Sequence, residues 1–216
     1  MIFQTFPNYE SRSGLKPALR RQFASRRKIL FLLLPFAVFT GCTTVKVSDA
    51  KQNSEIAALT KNLIALSPQV NPVEALRAAD AMVRYSLLLA EEWRATPPAI
   101  VNNVFVNTGI HPQGLCFQWA DALTVKLMTL HLRTLELHRG VAKLGTRHEH
   151  SCVVLTAPGQ NFTNGIALDA WRNCGKLNFS PVTADKYAWQ EVDLIPGYAE
   201  ELKAVAEKLE SQSKQP

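Results

Sequence analysis

Three residues of the types that together carry out nucleophilic catalysis lie in the second half of the chain: Cys116, His150 and Asp169. A cysteine thiolate attacks a carbonyl carbon, and a neighbouring histidine holds and returns the proton. A carboxylate next to the histidine fixes its tautomer and orientation. Because the three residues are far apart in sequence, the chemistry depends on the secondary-structure elements that carry them.

Cys116 lies at the predicted beginning of a helix. It follows a Pro-Gln-Gly turn at residues 112–114 and opens a helix-forming run that extends to Leu130. Apolar residues recur at helical spacing and predict a buried face: Ala120, Leu123, Leu127 and Leu130. At a helix N-terminus the unpaired N–H groups and the dipole favour an anion, so we expect the thiol to lose its proton more easily. The alternative is a small buried core cysteine without chemistry.

His150 and Asp169 fall on two consecutive predicted strands. The stretch from His148 to Ala157 is rich in β-branched residues near its end, and residues 165–171 form the next strand pattern. A Pro-Gly turn after Ala157 predicts that the two strands form an antiparallel hairpin. On such a hairpin His150 and Asp169 can lie opposite each other, close enough to hydrogen-bond.

These motifs resemble those of a known family. Gly114-Leu-Cys116-Phe-Gln-Trp119-Ala, then Glu149-His150-Ser-Cys-Val-Val, then Ala-Leu-Asp169-Ala-Trp171 look like the transglutaminase-like branch of the papain-type cysteine proteases. The resemblance implies an acyl-transfer mechanism in which Cys116 attacks an amide carbonyl, His150 holds and returns the proton, and Asp169 orients His150. It covers roughly residues 114–171. The aromatic residue that usually follows the histidine in the family is absent, since Ser151 stands there.

Several neighbouring residues are alternatives or additions to this site. His148 lies two residues before His150 and would share its face of a strand, but the register around His150 matches the family better. His148 and Trp119 are candidate walls of the site, although Trp119 could equally be core. The two histidines with Cys152 could also suggest zinc, but no fourth ligand is evident. We therefore expect no metal and no cofactor.

The oxyanion hole cannot be located from these motifs alone. The backbone N–H of Cys116 is the default donor, because it lies at a helix N-terminus. The side chains of Gln113 and Gln118 are further candidates. The remaining histidines are expected to be surface or packing residues: His111, His131 and His138.

Residues 1–41 have the pattern of an export signal. Three basic residues, 26–28, precede an apolar run of about 11 residues at 29–39, which is well short of the ~20 residues that span a bilayer. The run ends in Phe39-Thr-Gly-Cys42, which resembles the lipobox of bacterial lipoproteins. That resemblance implies acylation of Cys42 and a membrane anchor, and Thr43 after it is typical of the outer membrane. An uncleaved anchor or a simple signal peptide is the alternative.

The charge distribution argues against nucleic-acid binding. The chain has a formal net charge of +6, but seven of its 24 basic residues and one of its 18 acidic residues lie in residues 1–41. This leaves 17 of each sign from Cys42 onward, so the exported chain carries no electrostatic footprint for a phosphate backbone. Three cysteines remain besides Cys42. If Cys152 and Cys174 formed a disulfide in an oxidising compartment, Cys116 would be left free; either could also be a free buried thiol.

The elements predict an α+β fold, with a central helix packed on an antiparallel sheet as in the transglutaminase-like family. We divide the chain into a signal at 1–41, a tether at 42–53, a helical pair at 54–98, a catalytic core at 99–195 and a C-terminal helix with a tail at 196–216. Asn71, Pro72 and Glu74 form a strong helix start. Residues 100–110 indicate turns.

The sequence therefore predicts a lipid-anchored cysteine hydrolase or acyl transferase of the periplasm-facing cell envelope. Its expected substrates are amides within reach of the membrane, either peptides or peptidoglycan. The alternative is a catalytically silent envelope scaffold that binds a protein partner through its N-terminal helices and through aromatic residues: Trp171, Tyr187 and Trp189.

Overall fold

The computed structural model describes residues 46–194 and 196–213. The predicted signal at 1–41 and Cys42 lie outside the described residues. The helices of the described part are α1 (Asp49–Ile64), α2 (Pro72–Glu92), α3 (Ala99–Asn107), α4 (Cys116–Met128) and α5 (Pro196–Ser213). The strands are β1 (Glu136–Ala142), β2 (His150–Thr156), β3 (Ile166–Asp169), β4 (Asn178–Pro181) and β5 (Gln190–Val192).

The five strands form one antiparallel sheet in the order β4-β3-β2-β1-β5. This confirms the prediction of an α+β fold and of an antiparallel β2–β3 hairpin. Every residue of the central strand β2 is buried, because the sheet is covered on both faces. The strand therefore shows no alternation of buried and exposed positions.

The two faces of the sheet belong to different hydrophobic clusters. Val153 and Leu155 of β2 face the helices, in the main core with residues of α1, α2 and α4. Cys152 and Val154 face the other way and pack with Phe162 and other residues of the loops between the strands. The helices α1 and α2 thus share one core with the sheet, and α4 packs directly on β2.

Local contacts explain where α2 begins. The side-chain oxygen of Asn71 accepts hydrogen bonds from the backbone N–H groups of Val73 and Glu74, and Pro72 occupies the first turn. The Glu74 carboxylate accepts hydrogen bonds from Thr134, through its N–H and its hydroxyl, and from the N–H of Arg133. The start of α2 is therefore fastened to the segment that leads into β1.

Two predicted segments differ from the structure. Helix α1 begins at Asp49, so residues 49–53 belong to the helix and not to the tether; an acidic residue in the first turn favours this start. Residues 99–107 form helix α3 where turns were predicted. The reason is tertiary: the Asn102 side chain bonds to Thr96 and Gly114, and Asn103 accepts a hydrogen bond from the indole of Trp171. These contacts outweigh a poor intrinsic helix propensity.

Within the described residues, no helix is both long and apolar enough to cross a membrane.

Candidate active site

Cys116 is the first residue of α4, as the turn before it predicted. The Gln118 side chain reaches back, and its oxygen accepts hydrogen bonds from the N–H groups of Gly114 and Leu115 at 2.8 and 2.9 Å. Gly114 has φ +133°, and a Cβ there would lie 2.4 Å from the Asn102 side chain, so only glycine fits. This turn holds Cys116 half-buried, with its Sγ 3.7 Å from the carbonyl oxygen of Glu149.

His150 and Asp169 are joined by a buried hydrogen bond. The distance from His150 Nε2 to Asp169 Oδ2 is 2.8 Å, and the two side chains are 4% and 1% exposed. The pairing of Val153 with Leu168 sets the register of the hairpin. Continued along the strands, this register places Asp169 opposite Cys152 and not opposite His150. The two residues are therefore diagonal neighbours on the same face, which long side chains can bridge.

The position of His150 at the end of its strand brings it near the thiol. His150 shares its face of β2 with Cys152, which is the face away from α4. However, β2 begins at His150, and the N-terminus of α4 lies beside the end of that strand, where the Cys116 thiol meets the carbonyl of Glu149. The Cys116 thiol and the His150 imidazole therefore interact at this end of the strand. The thiol is among the groups that raise the pKa of His150.

The ionisation of His150 is strongly shifted. Burial of the ring alone lowers its pKa from 6.5, but the hydrogen bond to Asp169, the interaction with Cys116 and the charges of both raise it to about 9. Nε2 is taken by Asp169, while Nδ1 is buried and has no hydrogen-bond partner of regular geometry among the described residues. Nδ1 is therefore the ring nitrogen available for a proton from the thiol.

Three aromatic side chains surround the imidazole. The ring centroids of Trp171, Tyr187 and Trp189 lie 4.5, 4.7 and 5.2 Å from that of His150. Trp171 is held in turn by its indole N–H, which donates to Asn103 of α3 at 2.9 Å. These rings exclude water from the His150–Asp169 pair and fix the plane of the imidazole. The sequence had suggested them only as binding residues of a scaffold.

Arg172 and Asp185 extend the site and were not predicted from the sequence. Arg172 Nε lies 3.0 Å from Asp169 Oδ2, and its Nη2 lies 3.0 and 3.1 Å from the two oxygens of Asp185. Burial alone would raise the pKa of Asp185, but hydrogen bonds from Ser180, the N–H of Tyr187 and Arg172 lower it below its usual value. An arginine three residues after the predicted aspartate was the available signal.

The structure does not bring Trp119 or His148 to the imidazole. Trp119 is 1% exposed, packs on Trp93 at a centroid distance of 4.6 Å, and donates its indole N–H to the carbonyl of Gly114. It therefore supports the turn before Cys116 from the core. His148 is exposed in the turn before β2, beside Arg147, so it does not share a strand face with His150.

The other three histidines have partners away from the site. His111 contacts Asn102, Nε2 of His131 lies 3.0 Å from a carboxylate oxygen of Glu210, and His138 bonds to Glu191 and Thr156. No group of three or more histidine, cysteine or acidic side chains within the described residues is arranged to hold a metal ion.

The suggested disulfide between Cys152 and Cys174 is wrong. Both cysteines are free, as is Cys116. Cys152 faces the loop side of the sheet, whereas Cys174 belongs to the main core on the helix side, so the sheet separates them. Burial raises the pKa of both thiols, that of Cys174 to about 11. Cys116 thus remains the least buried thiol of the described residues.

Comparisons with models of known protein families, with curated proteins and with solved structures gave no significant match.

Proposed function

We propose that this protein is a cysteine hydrolase or acyl transferase of the transglutaminase-like type, which acts on amide bonds through Cys116, His150 and Asp169. The observation that carries the proposal is the buried hydrogen bond between His150 and Asp169 at 2.8 Å, on a ring that also interacts with the Cys116 thiol. A helix that begins with the cysteine, followed by strands that carry the histidine and the aspartate, is the order that the family resemblance implies.

The arrangement supports a two-step acyl transfer. The Cys116 thiol gives its proton to Nδ1 of His150, and the sulfur then attacks the amide carbonyl carbon. As the C–N bond breaks, His150 returns the proton to the leaving amine, which leaves a thioester on Cys116. Water or a second amine then attacks the thioester carbonyl and loses its proton to His150, and the acyl group leaves Cys116. Asp169 holds the imidazole throughout.

The backbone N–H of Cys116 is our candidate for stabilising the oxyanion. It is the first N–H of α4, and the early N–H groups of a helix have no partner within the helix. Gln118 supports that N-terminus, because its side-chain oxygen accepts hydrogen bonds from the N–H groups of Gly114 and Leu115.

The proposed location is the periplasm-facing cell envelope, through an acyl anchor at Cys42 in the outer membrane. The basic and apolar pattern of residues 26–42 supports it. Peptides and peptidoglycan are the amides within reach of such an anchor. The test is incorporation of radiolabelled palmitate, which we expect in the wild type and not in Cys42→Ser. An unlabelled wild-type protein would contradict the anchor without affecting the triad.

Alkylation by an iodoacetamide probe near neutral pH tests the catalytic thiol directly. We expect Cys116→Ala to abolish labelling of the folded protein and Cys152→Ala, the matched control, to leave it unchanged, because Cys152 is 1% exposed. His150→Gln should slow labelling of Cys116 by about a hundredfold or more, in the range that one acid–base group contributes. Equal labelling of Cys116 and Cys152 would contradict the proposal. Incubation with purified peptidoglycan, with Cys116→Ala as a blank, then tests the substrate.

A second candidate function is a non-catalytic envelope scaffold. Helix α3 and the residues just after it expose apolar side chains, with Ile100, Val104 and Ile110 exposed to 66%, 56% and 60%. Exposed apolar clusters mark interaction surfaces. Complementation of a strain that requires this protein for growth separates the two candidates. If the Cys116→Ser allele restores growth and the Val104→Asp allele does not, the result favours the scaffold.

A further inference from the structure

The carboxylate of Asp169 serves two cationic partners through one oxygen atom. Oδ2 accepts from Nε2 of His150 at 2.8 Å and from Nε of Arg172 at 3.0 Å. The other oxygen, Oδ1, accepts from the backbone N–H of Arg172 at 3.2 Å. Because both cations share the same oxygen, any change in the charge of one partner changes how strongly Asp169 favours the protonated form of the other.

Arg172 is fixed in this place by a second buried carboxylate. Its Nη2 bonds to both oxygens of Asp185, whose side chain is fully buried. Asp185 is itself held by the hydroxyl of Ser180 at 2.6 Å and by the backbone N–H of Tyr187 at 2.9 Å. The Arg172 side chain is only 14% exposed, so it cannot turn to solvent without leaving two buried negative charges.

The charged groups form a continuous row beside the imidazole. The guanidinium carbon of Arg172 lies 4.9 Å from the centroid of the Tyr187 ring, and the centroid of the His150 imidazole lies 4.7 Å from the same point. Other ionisable groups on this side are the thiol of Cys116, the phenol of Tyr187 and the buried thiol of Cys152, which interacts with Asp169, Asp185 and Arg172. The carboxylate of Glu149, next in the chain, is turned away to the N–H of Gly145. The row thus holds two carboxylates and two groups that can be cationic.

We propose that Arg172, anchored on Asp185, divides the charge of the Asp169 carboxylate with His150 and thereby sets the proton affinity of the catalytic imidazole. Without the arginine, Asp169 would act on His150 alone and hold the imidazole as a cation that returns its proton poorly. Arg172 is therefore a positioning residue whose charge keeps His150 able both to take and to return a proton. The inference rests on the proposed function only for the catalytic use of that proton.

An ordinary structural ion pair would predict a different response. If Arg172 and Asp185 only fastened the loop between β3 and β4, either substitution would loosen Asp169, and the pKa of His150 would fall or stay unchanged in both variants. If Arg172 instead shares the charge of Asp169 with His150, the two substitutions shift the pKa of His150 in opposite directions. Arg172→Gln removes a cation and raises the pKa of His150, whereas Asp185→Asn removes an anion and lowers it. Each shift should be about one pKa unit, because the groups are buried and close.

The test is a proton NMR titration of the full chain carrying Cys116→Ser, so that the thiol does not titrate alongside the ring. The His150 signal is identified by its loss in His150→Gln. We expect a rise of about one unit in Arg172→Gln, a fall of similar size in Asp185→Asn, and little change in Arg172→Lys. Lys203→Gln on the exposed face of α5 is the control for loss of a distant cation, and it should shift nothing.

The double variant Arg172→Gln with Asp185→Asn covers the case in which a single variant fails to fold. It removes one charge of each sign, so the pKa of His150 should return to within a few tenths of the reference. The inference would be overturned if the pKa of His150 shifted in the same direction in both single variants. It would also be overturned if the pKa in the double variant stayed well away from the reference value. Absence of Cys116 alkylation would instead overturn the proposed function. It would not affect the predicted directions of the His150 pKa shifts.

Discussion

The raised pKa of His150 makes a quantitative prediction about stability. The pKa is about 9 in the folded protein against 6.5 for an unperturbed ring, a difference of 2.5. At about 1.4 kcal/mol per pKa unit, protonation of His150 stabilises the fold by about 3 kcal/mol. The side chain is only 4% exposed, so solvent screens this contribution little. It is between about a fifth and about three fifths of the free energy of unfolding of a typical domain, which is about 5–15 kcal/mol.

The direction of this pH dependence follows from the linkage between proton binding and folding. A group whose pKa is higher in the folded state than in the unfolded state binds more protons when folded. Its contribution is therefore fully present below pH 6.5, and it is lost as the pH rises through about 9. We expect the protein to lose about 3 kcal/mol between pH 6 and pH 10 through this one residue.

Urea unfolding of the wild type and of His150→Gln at pH 6, 8 and 10 isolates the effect of the ring and its contacts, since groups distant from His150 titrate equally in both proteins. The free-energy difference between the two proteins should be larger at pH 6 than at pH 10 by about 3 kcal/mol. Asp169→Asn should abolish most of that pH dependence, because it removes the main group that raises the pKa. A difference between wild type and His150→Gln that stays constant across the three pH values would refute the reasoning.

Two further predictions concern the support of the site. Gly175→Ala should destabilise the protein by about 3 kcal/mol, since φ is +101° and the new Cβ would lie 2.3 Å from that of Ala90; thermal unfolding measures this. Gln118→Ala removes two hydrogen bonds from the turn before α4, so it should cost about 1–2 kcal/mol and slow alkylation of Cys116. Unchanged unfolding temperatures in either variant would contradict these accounts.

The sequence predicted the elements whose local signals are strong. Asn71 and Pro72 begin α2 as expected, and Cys116 begins α4 after its Gly114 turn, because caps and turns are local events. Helix α3 was missed, since its β-branched and asparagine residues form a helix only with distant partners such as Trp171. The bond between His150 and Asp169 was anticipated as a directly opposite pair, but a two-residue offset in register makes it diagonal.

The residues that extend the site could not be found in the same way. Arg172 and Asp185 are separated by strand β4, and their contact depends on how that strand turns back along β3. The exposure of His148 and the burial of Trp119 likewise depend on where β2 begins and on what covers α4. These are properties of tertiary packing, which sequence spacing does not encode.

The surroundings of His150 argue for a chemical role over a purely structural one. A structural core histidine is expected to satisfy both ring nitrogens, because an unpaired buried polar atom costs about 1–3 kcal/mol. Here the fold instead buries Nδ1 without a partner of regular geometry, while it secures Nε2 through Asp169. Beyond Nε2, the buried carboxylates of Asp169 and Asp185 are linked by the side chain of Arg172. The buried Nδ1 is the part of this arrangement that costs stability, and its placement is reasonable if Nδ1 receives a proton from Cys116.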